Sequence, residues 1–104
     1  MNKKVTALHC QIGDELRVRA AAVVERLGHL SPHALDASVV FDDDADGPSA
    51  EIRLHVRGGQ VLVARGAARD HRSALDRAEE KLRKQVERAV TQSRRGRREA
   101  DEPT

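Results

Sequence analysis

The residues best placed to do chemistry in this chain are cations spaced like the rungs of a helix. Arg77, Lys81, Lys84, Arg88 and Arg95 follow one another at steps of four, three, four and seven, so a turn of about 100° per residue stacks them in one stripe. Residues 70–98 hold ten Lys/Arg against five Asp/Glu, a local net of +5. Such a row offers point charges and guanidinium forks to phosphates, and it contains no reaction centre. Structured RNA is recognised largely through its phosphates and 2′-hydroxyls, so a rigid cationic row can track that backbone. Arg77, Lys81, Lys84, Arg88, Arg94 and Arg95 are therefore the candidate RNA contacts, with Arg17, Arg26 and Arg72 as secondary ones. Arg97 and Arg98 add nonspecific attraction. The competing explanation is a solvated face whose charges pair at i,i+4.

Other chemistries lack their residues. Asp42-x-Asp44-x-Asp46-Gly47 opens like a calcium loop, but its twelfth position, where a bidentate Glu is needed, is Arg53, and its flanks read as strands. His29 and His33 are separated by Pro32 and share no helical face, and Cys10 has no cysteine partner, so no zinc site and no other cofactor is expected. The serines lie in no nucleophile motif and no glycine-rich phosphate loop follows a strand. Asp70 and Asp76 read as a helix cap and a first-turn acid rather than a catalytic pair, so the chain is expected not to be an enzyme and to have no small-molecule substrate. Without aromatic platforms, base stacking is a poor basis for binding.

A chain of 104 residues builds one small domain. With Phe41 its sole aromatic, the core must come from Val, Leu, Ile and Ala. Nineteen Lys/Arg nearly cancel seventeen Asp/Glu, but the signs are segregated. From Ala34 to Glu51 there are six acids (Asp36, Asp42, Asp43, Asp44, Asp46, Glu51) and no Lys or Arg, which makes the chain a dipole. One cysteine, no signal-type apolar run and no stretch long enough to span a membrane point to a reducing cytoplasm and to no membrane partner.

The elements that must position the stripe follow from periodicity. Lys4–Cys10 alternates as a short strand, and Gly13-Asp14 starts a helix whose Leu16, Ala20, Val23 and Leu27 share a face, with Ile12 just upstream. Gly28 suits a C-cap and Ser31-Pro32 a stop. Leu35–Phe41 reads as a strand, Asp42–Ser49 as a turn-rich acidic loop, and Glu51–Arg57 as a strictly alternating strand with Ile52, Leu54 and Val56 inward. Gly58-Gly59 is a two-residue hairpin signal leading into Gln60–Arg65, with Val61, Val63 and Arg65 on one face. Asp70 caps the final helix, whose apolar stripe is Leu75, Ala78, Leu82, Val86 and Ala89. The order β-α-β-β-β-α predicts an α+β two-layer sandwich, a four-stranded sheet with two helices packed on one face. Residues 1–93 form the domain, and 94–104 are expected to be a disordered charged tail.

With that order in hand, the chain resembles the ribosome hibernation-promoting factor and ribosome-associated inhibitor family in its short form. The resemblance covers roughly residues 5–90 and rests on Ile12 through Leu16-Arg17, on Val56-Arg57-Gly58-Gly59, and on Asp70-His71-Arg72-Ser73-Ala74-Leu75-Asp76 continuing to Lys81-Leu82-Arg83-Lys84-Gln85. The chain departs from the family at His71-Arg72, where Met-Tyr is usual, and has fewer basic residues around Val23. The resemblance implies a cytoplasmic, non-enzymatic factor. It would bind rRNA of the small ribosomal subunit in the channel for messenger RNA and the anticodon arms of transfer RNA, and would inhibit translation during stress or stationary phase. Long-form relatives carry a C-terminal domain that dimerises ribosomes; this chain ends at Thr104 without such a dimerisation domain, so pairing would need another factor. The alternatives are a general module for double-stranded or structured RNA and a protein–protein adaptor using the acidic segment.

Overall fold

The computed structural model describes residues 2–31 and 33–101, and for 90–101 the backbone alone. The chain runs β1 (Asn2–Leu8), α1 (Asp14–Leu30), β2 (Ala34–Asp44), β3 (Gly47–Val56), β4 (Val61–Ala67) and α2 (His71–Asp101). Four strands form one sheet in the order β1-β2-β3-β4, with β1 parallel to β2 and the other neighbours antiparallel. Both helices cover the same sheet face, so the expected α+β sandwich is the observed one.

Alternation sorts the strands as anticipated. Ile52, Leu54 and Val56 point into the core with Ala37, Val39 and Phe41 of β2, while Arg53 and His55 point out. On β4, Ala64 and Gly66 turn inward and Val61, Val63 and Arg65 share the solvent face. From α1 come Ala20, Val23, Val24 and Leu27, and from α2 come Ala74, Leu75, Ala78, Leu82 and Val86, all buried; Ala89 is half-buried. Gly66 allows the closest approach: a Cβ there would lie 2.4 Å from the Ala74 carbonyl oxygen and 2.8 Å from the Ala78 nitrogen. So α2 lies directly against β4.

Several boundaries differ from expectation: β1, expected at Lys4–Cys10, runs from Asn2 to Leu8 and leaves His9 and Cys10 beyond the strand. The stretch Asp42–Ser49 is not a loop: β2 runs to Asp44, β3 starts at Gly47, and only Ala45 and Asp46 make the turn. Gly47 takes φ +99° and the Asp46 N–H donates to the Asp44 carboxylate at 2.9 Å, which closes so tight a reversal. Gly28 does not end α1, because its backbone stays helical and the helix stops at Ser31 instead, in the extended conformation favoured before proline. Finally, α2 keeps helical backbone through Gly96 to Asp101, within the range 94–104 expected to be a disordered charged tail. Gly58 and Gly59 take positive φ, +94° and +82°, but the turn is not a two-residue one: the Val56 N–H donates to the Gln60 carbonyl at 2.9 Å, so Arg57, Gly58 and Gly59 make the reversal.

Candidate nucleic-acid interface

Because Leu75, Ala78, Leu82 and Val86 face the sheet, the rest of α2 divides into two flanks, one towards α1 and one along the outer edge of β4. Arg77, Lys81, Lys84 and Arg88 all lie exposed on the β4 flank, as the wheel predicts. Arg77 donates to the Ala67 carbonyl at 2.9 Å and Lys81 to the Arg65 carbonyl at 3.0 Å. Gln85 continues the series, donating to the Val63 carbonyl at 2.8 Å. Four residues of helix rise about 6 Å and two residues of strand about 6.8 Å, so an i,i+4 ladder stays in step with alternate carbonyls for three rungs. Carbonyl oxygens accept these donors without cancelling their charge. Lys84 meets Glu80 at 3.7 Å, both side chains largely exposed, and Arg88 has no acidic partner among the described residues. The backbone of Arg94 and Arg95 is helical, but their side chains lie outside the described residues.

The secondary candidates are placed otherwise. Arg26 reaches across to α2 and donates through both Nε and Nη2 to the Glu79 carboxylate, at 3.0 Å for the shortest contact. Glu79 also takes Arg83 at 3.8 Å. Arg17 donates to the Val5 carbonyl on the outer edge of β1 at 3.2 Å. Arg72 lines an open cleft of about 390 Å³ at the starts of the two helices, together with Gly13, Glu15, Leu16 and Arg19, so both signs face that space. Sequence reasoning passed over Arg19, whose Nη2 lies 2.8 Å from Asp76; that carboxylate raises the arginine pKa still further, while its buried Nε has no hydrogen-bond partner. It also passed over Gln85, although its place four residues after Lys81 was the available signal.

Most acids of the middle segment have side-chain partners within the chain. Asp42, Asp43 and Asp44, adjacent in the chain, pair with His9, His71 and Arg65 respectively. Asp36 pairs with His55 at 2.9 Å and Glu51 with Arg53 at 3.7 Å. His71, at the departure from the usual Met-Tyr, stacks edge-on against Phe41 with ring centroids 5.9 Å apart. Its Nε2 lies 3.1 Å from the Asp42 carbonyl and 3.0 Å from Asp43, which makes that nitrogen the protonated one. Cys10, half-buried beside this cluster, has its thiol pKa raised by burial and then by Asp43 and Asp42. No group of His, Cys, Asp and Glu able to hold a metal ion occurs among the described residues. No helix among them is long and apolar enough to cross a membrane.

A mixed four-stranded sheet backed by two helices, with cations gathered on one flank of the second, defines a small α+β domain. Residues 4–94 match the family described as sigma 54 modulation protein / S30EA ribosomal protein, and the chain belongs to it. It is 32% identical over 89 residues to a ribosome hibernation promotion factor of Rhizobium meliloti (strain 1021), covering 85% of this chain and 47% of that protein. The chain thus spans about half the length of that curated relative. Among solved structures it superposes on the Thermus thermophilus Protein Y N-terminal domain with a TM-score of 0.72 and 28% identity, covering 85% of this chain and 98% of that one. A ribosomal subunit interface protein from Coxiella burnetii shares the fold, with a TM-score of 0.70 at 16% identity, over 88% of this chain and 99% of that one.

Proposed function

We propose that this domain is a ribosome hibernation factor. It docks the β4 flank of α2 on rRNA of the small ribosomal subunit, fills the channel that messenger RNA and transfer RNA anticodon arms would enter, and so halts translation under stress without catalysing a reaction. The observation that carries this reading is the clustering of Arg77, Lys81, Lys84 and Arg88 on one flank, with their charges uncancelled except for the exposed Lys84–Glu80 contact. An exposed i,i+4 pair is worth only about 0.3–0.5 kcal/mol, so a phosphate displaces Glu80 at little cost. Family membership and the name of the Rhizobium meliloti relative support the ribosome as the source of the phosphates. Five of the six acids between Ala34 and Glu51 already have a side-chain partner within the chain, which leaves the adaptor reading few unengaged carboxylates to work with.

The test is co-sedimentation with purified small subunits. Lys84→Glu combined with Arg88→Glu removes two cations that do not hold the β4 edge, so the circular dichroism spectrum is retained while binding is lost at moderate salt. Each lost phosphate contact flattens the dependence of log K on log salt by about 0.7–0.9. Unchanged binding by the double variant rejects this surface, and equally tight binding of the wild type to naked duplex RNA favours the general RNA module.

A further inference from the structure

β4 is an outer strand, bonded to β3 on one side only. An outer strand turns a row of backbone donors and acceptors outward and templates pairing with another strand unless something blocks it. Here the outward carbonyls of Val63, Arg65 and Ala67 are each taken by a side chain of α2, namely Gln85, Lys81 and Arg77. The other outer strand is treated differently. Only the Val5 carbonyl of β1 receives a side-chain donor, from Arg17, among the described residues. The guarded strand is also the one with reason to be guarded. Val61 and Val63 flank the β4 edge on the solvent face at 41% and 37% exposure, and β-branched residues of that kind favour cross-strand pairing.

We propose that Arg77, Lys81 and Gln85 form a guard that keeps β4 from pairing, antiparallel, with β4 of a second copy of this chain. A twofold axis through Val63 would set Val63 against its own copy and Val61 against Arg65, an apolar centre that fits such a pair. The guard opposes it in two ways. It occupies the carbonyls that the second strand would need, and it sets two cationic flanks against each other as the edges approach. This inference is independent of RNA binding, since it concerns the free protein.

The experiment compares the wild type with Arg77→Ala/Lys81→Ala/Gln85→Ala by light scattering and circular dichroism. Alanine removes the donors and has the highest helix propensity, so α2 is retained. The wild type scatters as a monomer of 11.5 kDa, and the triple variant at least doubles that mass. Adding Val63→Lys, a charge at the centre of the pair, returns the variant to monomer. A folded triple variant that stays monomeric overturns the proposal, as does a mass increase that Val63→Lys fails to reverse. Should the triple variant unfold, Lys81→Ala/Gln85→Ala takes its place: a doubled mass reversed by Val63→Lys supports the guard, and a folded monomer overturns it. The wild type in about 1 M salt, where the charges are screened but the donors remain, stays monomeric; self-association there would show that the hydrogen bonds guard nothing.

Discussion

Cations meet the two flanks of α2 in opposite ways. Towards α1, guanidinium groups meet carboxylates: Arg19 meets Asp76 at 2.8 Å, and Arg26 and Arg83 converge on Glu79 at 3.0 and 3.8 Å. Towards β4, Arg77 and Lys81 meet backbone carbonyls. A carboxylate fixes a cation and cancels it, whereas a carbonyl fixes it and leaves its charge standing. The first flank is therefore a seam between helices and the second a field that reaches into solvent. Counting Lys and Arg along α2 finds the field but misses the seam, because Arg19 and Arg26 belong to α1 and reach Asp76 and Glu79 across the gap.

The largest effect comes from breaking the β4 flank at its foundation. Gly66→Ala forces a Cβ against the Ala74 carbonyl, 2.4 Å away, where only backbone can yield. Overpacking of this kind costs about 3 kcal/mol, and at the size of this domain that lowers Tm by roughly 10 °C or more. Calorimetry checks the shift, and a Tm unchanged from wild type would mean that α2 does not press closely on β4. A smaller effect comes from converting the seam into a field. Glu79→Gln keeps the shape at the helix crossing but frees the charges of Arg26 and Arg83. It costs about 1 kcal/mol after allowance for the exposure of both arginines, and it raises affinity for rRNA while steepening the salt slope. Unchanged affinity and salt slope would show that the α1 flank stays out of reach of RNA even when uncancelled. Smaller still is the contrast between single deletions: Arg88→Ala flattens the salt slope by about 0.7–0.9 and Arg26→Ala leaves it unchanged, as filter binding over a salt series would show.

Much of this was legible in the chain and part of it was not, and the division follows range. The apolar spacing of Leu75, Ala78, Leu82 and Val86, the alternation of Ile52, Leu54 and Val56, and the paired glycines at 58 and 59 are local patterns that determine their own elements. The cationic stripe is local too, and Arg77, Lys81, Lys84 and Arg88 share a flank. Asp42–Ser49 misled because three consecutive aspartates look like a solvated turn. Each of them instead has a partner on a different distant segment, His9, His71 or Arg65, and such partners hold a strand in place against its propensity. Gly28 misled because a cap glycine and a helical glycine differ only in backbone geometry. The ladder of Arg77, Lys81 and Gln85 was invisible for the same reason as the seam, since its acceptors are backbone atoms of another strand.

The smallest predicted effect lies where the two flanks begin. The first turn of α2 contains no acid, and its exposed backbone donors rely on Asp70, which precedes the helix. The Asp70 carboxylate accepts the Ser73 N–H at 2.7 Å, and that bond, followed by the Ser73 hydroxyl, holds its pKa below the ordinary carboxylate value. A depressed folded-state pKa adds stability that is present above the unfolded value near 3.9 and is lost as pH falls through the folded one. Asp70→Asn keeps an acceptor for Ser73 but no charge, so it changes Tm little near neutral pH and makes the acid limb of the Tm profile shallower. Asp70→Ala lowers Tm at neutral pH as well. The first rungs of both flanks, Asp76 towards α1 and Arg77 towards β4, stand one turn further on. Hydrogen exchange at Ser73 and Ala74 should therefore quicken in Asp70→Ala while amides near Leu82 stay protected. If exchange quickened along the whole helix, the flanks would depend on the cap rather than on the packing of α2 against the sheet.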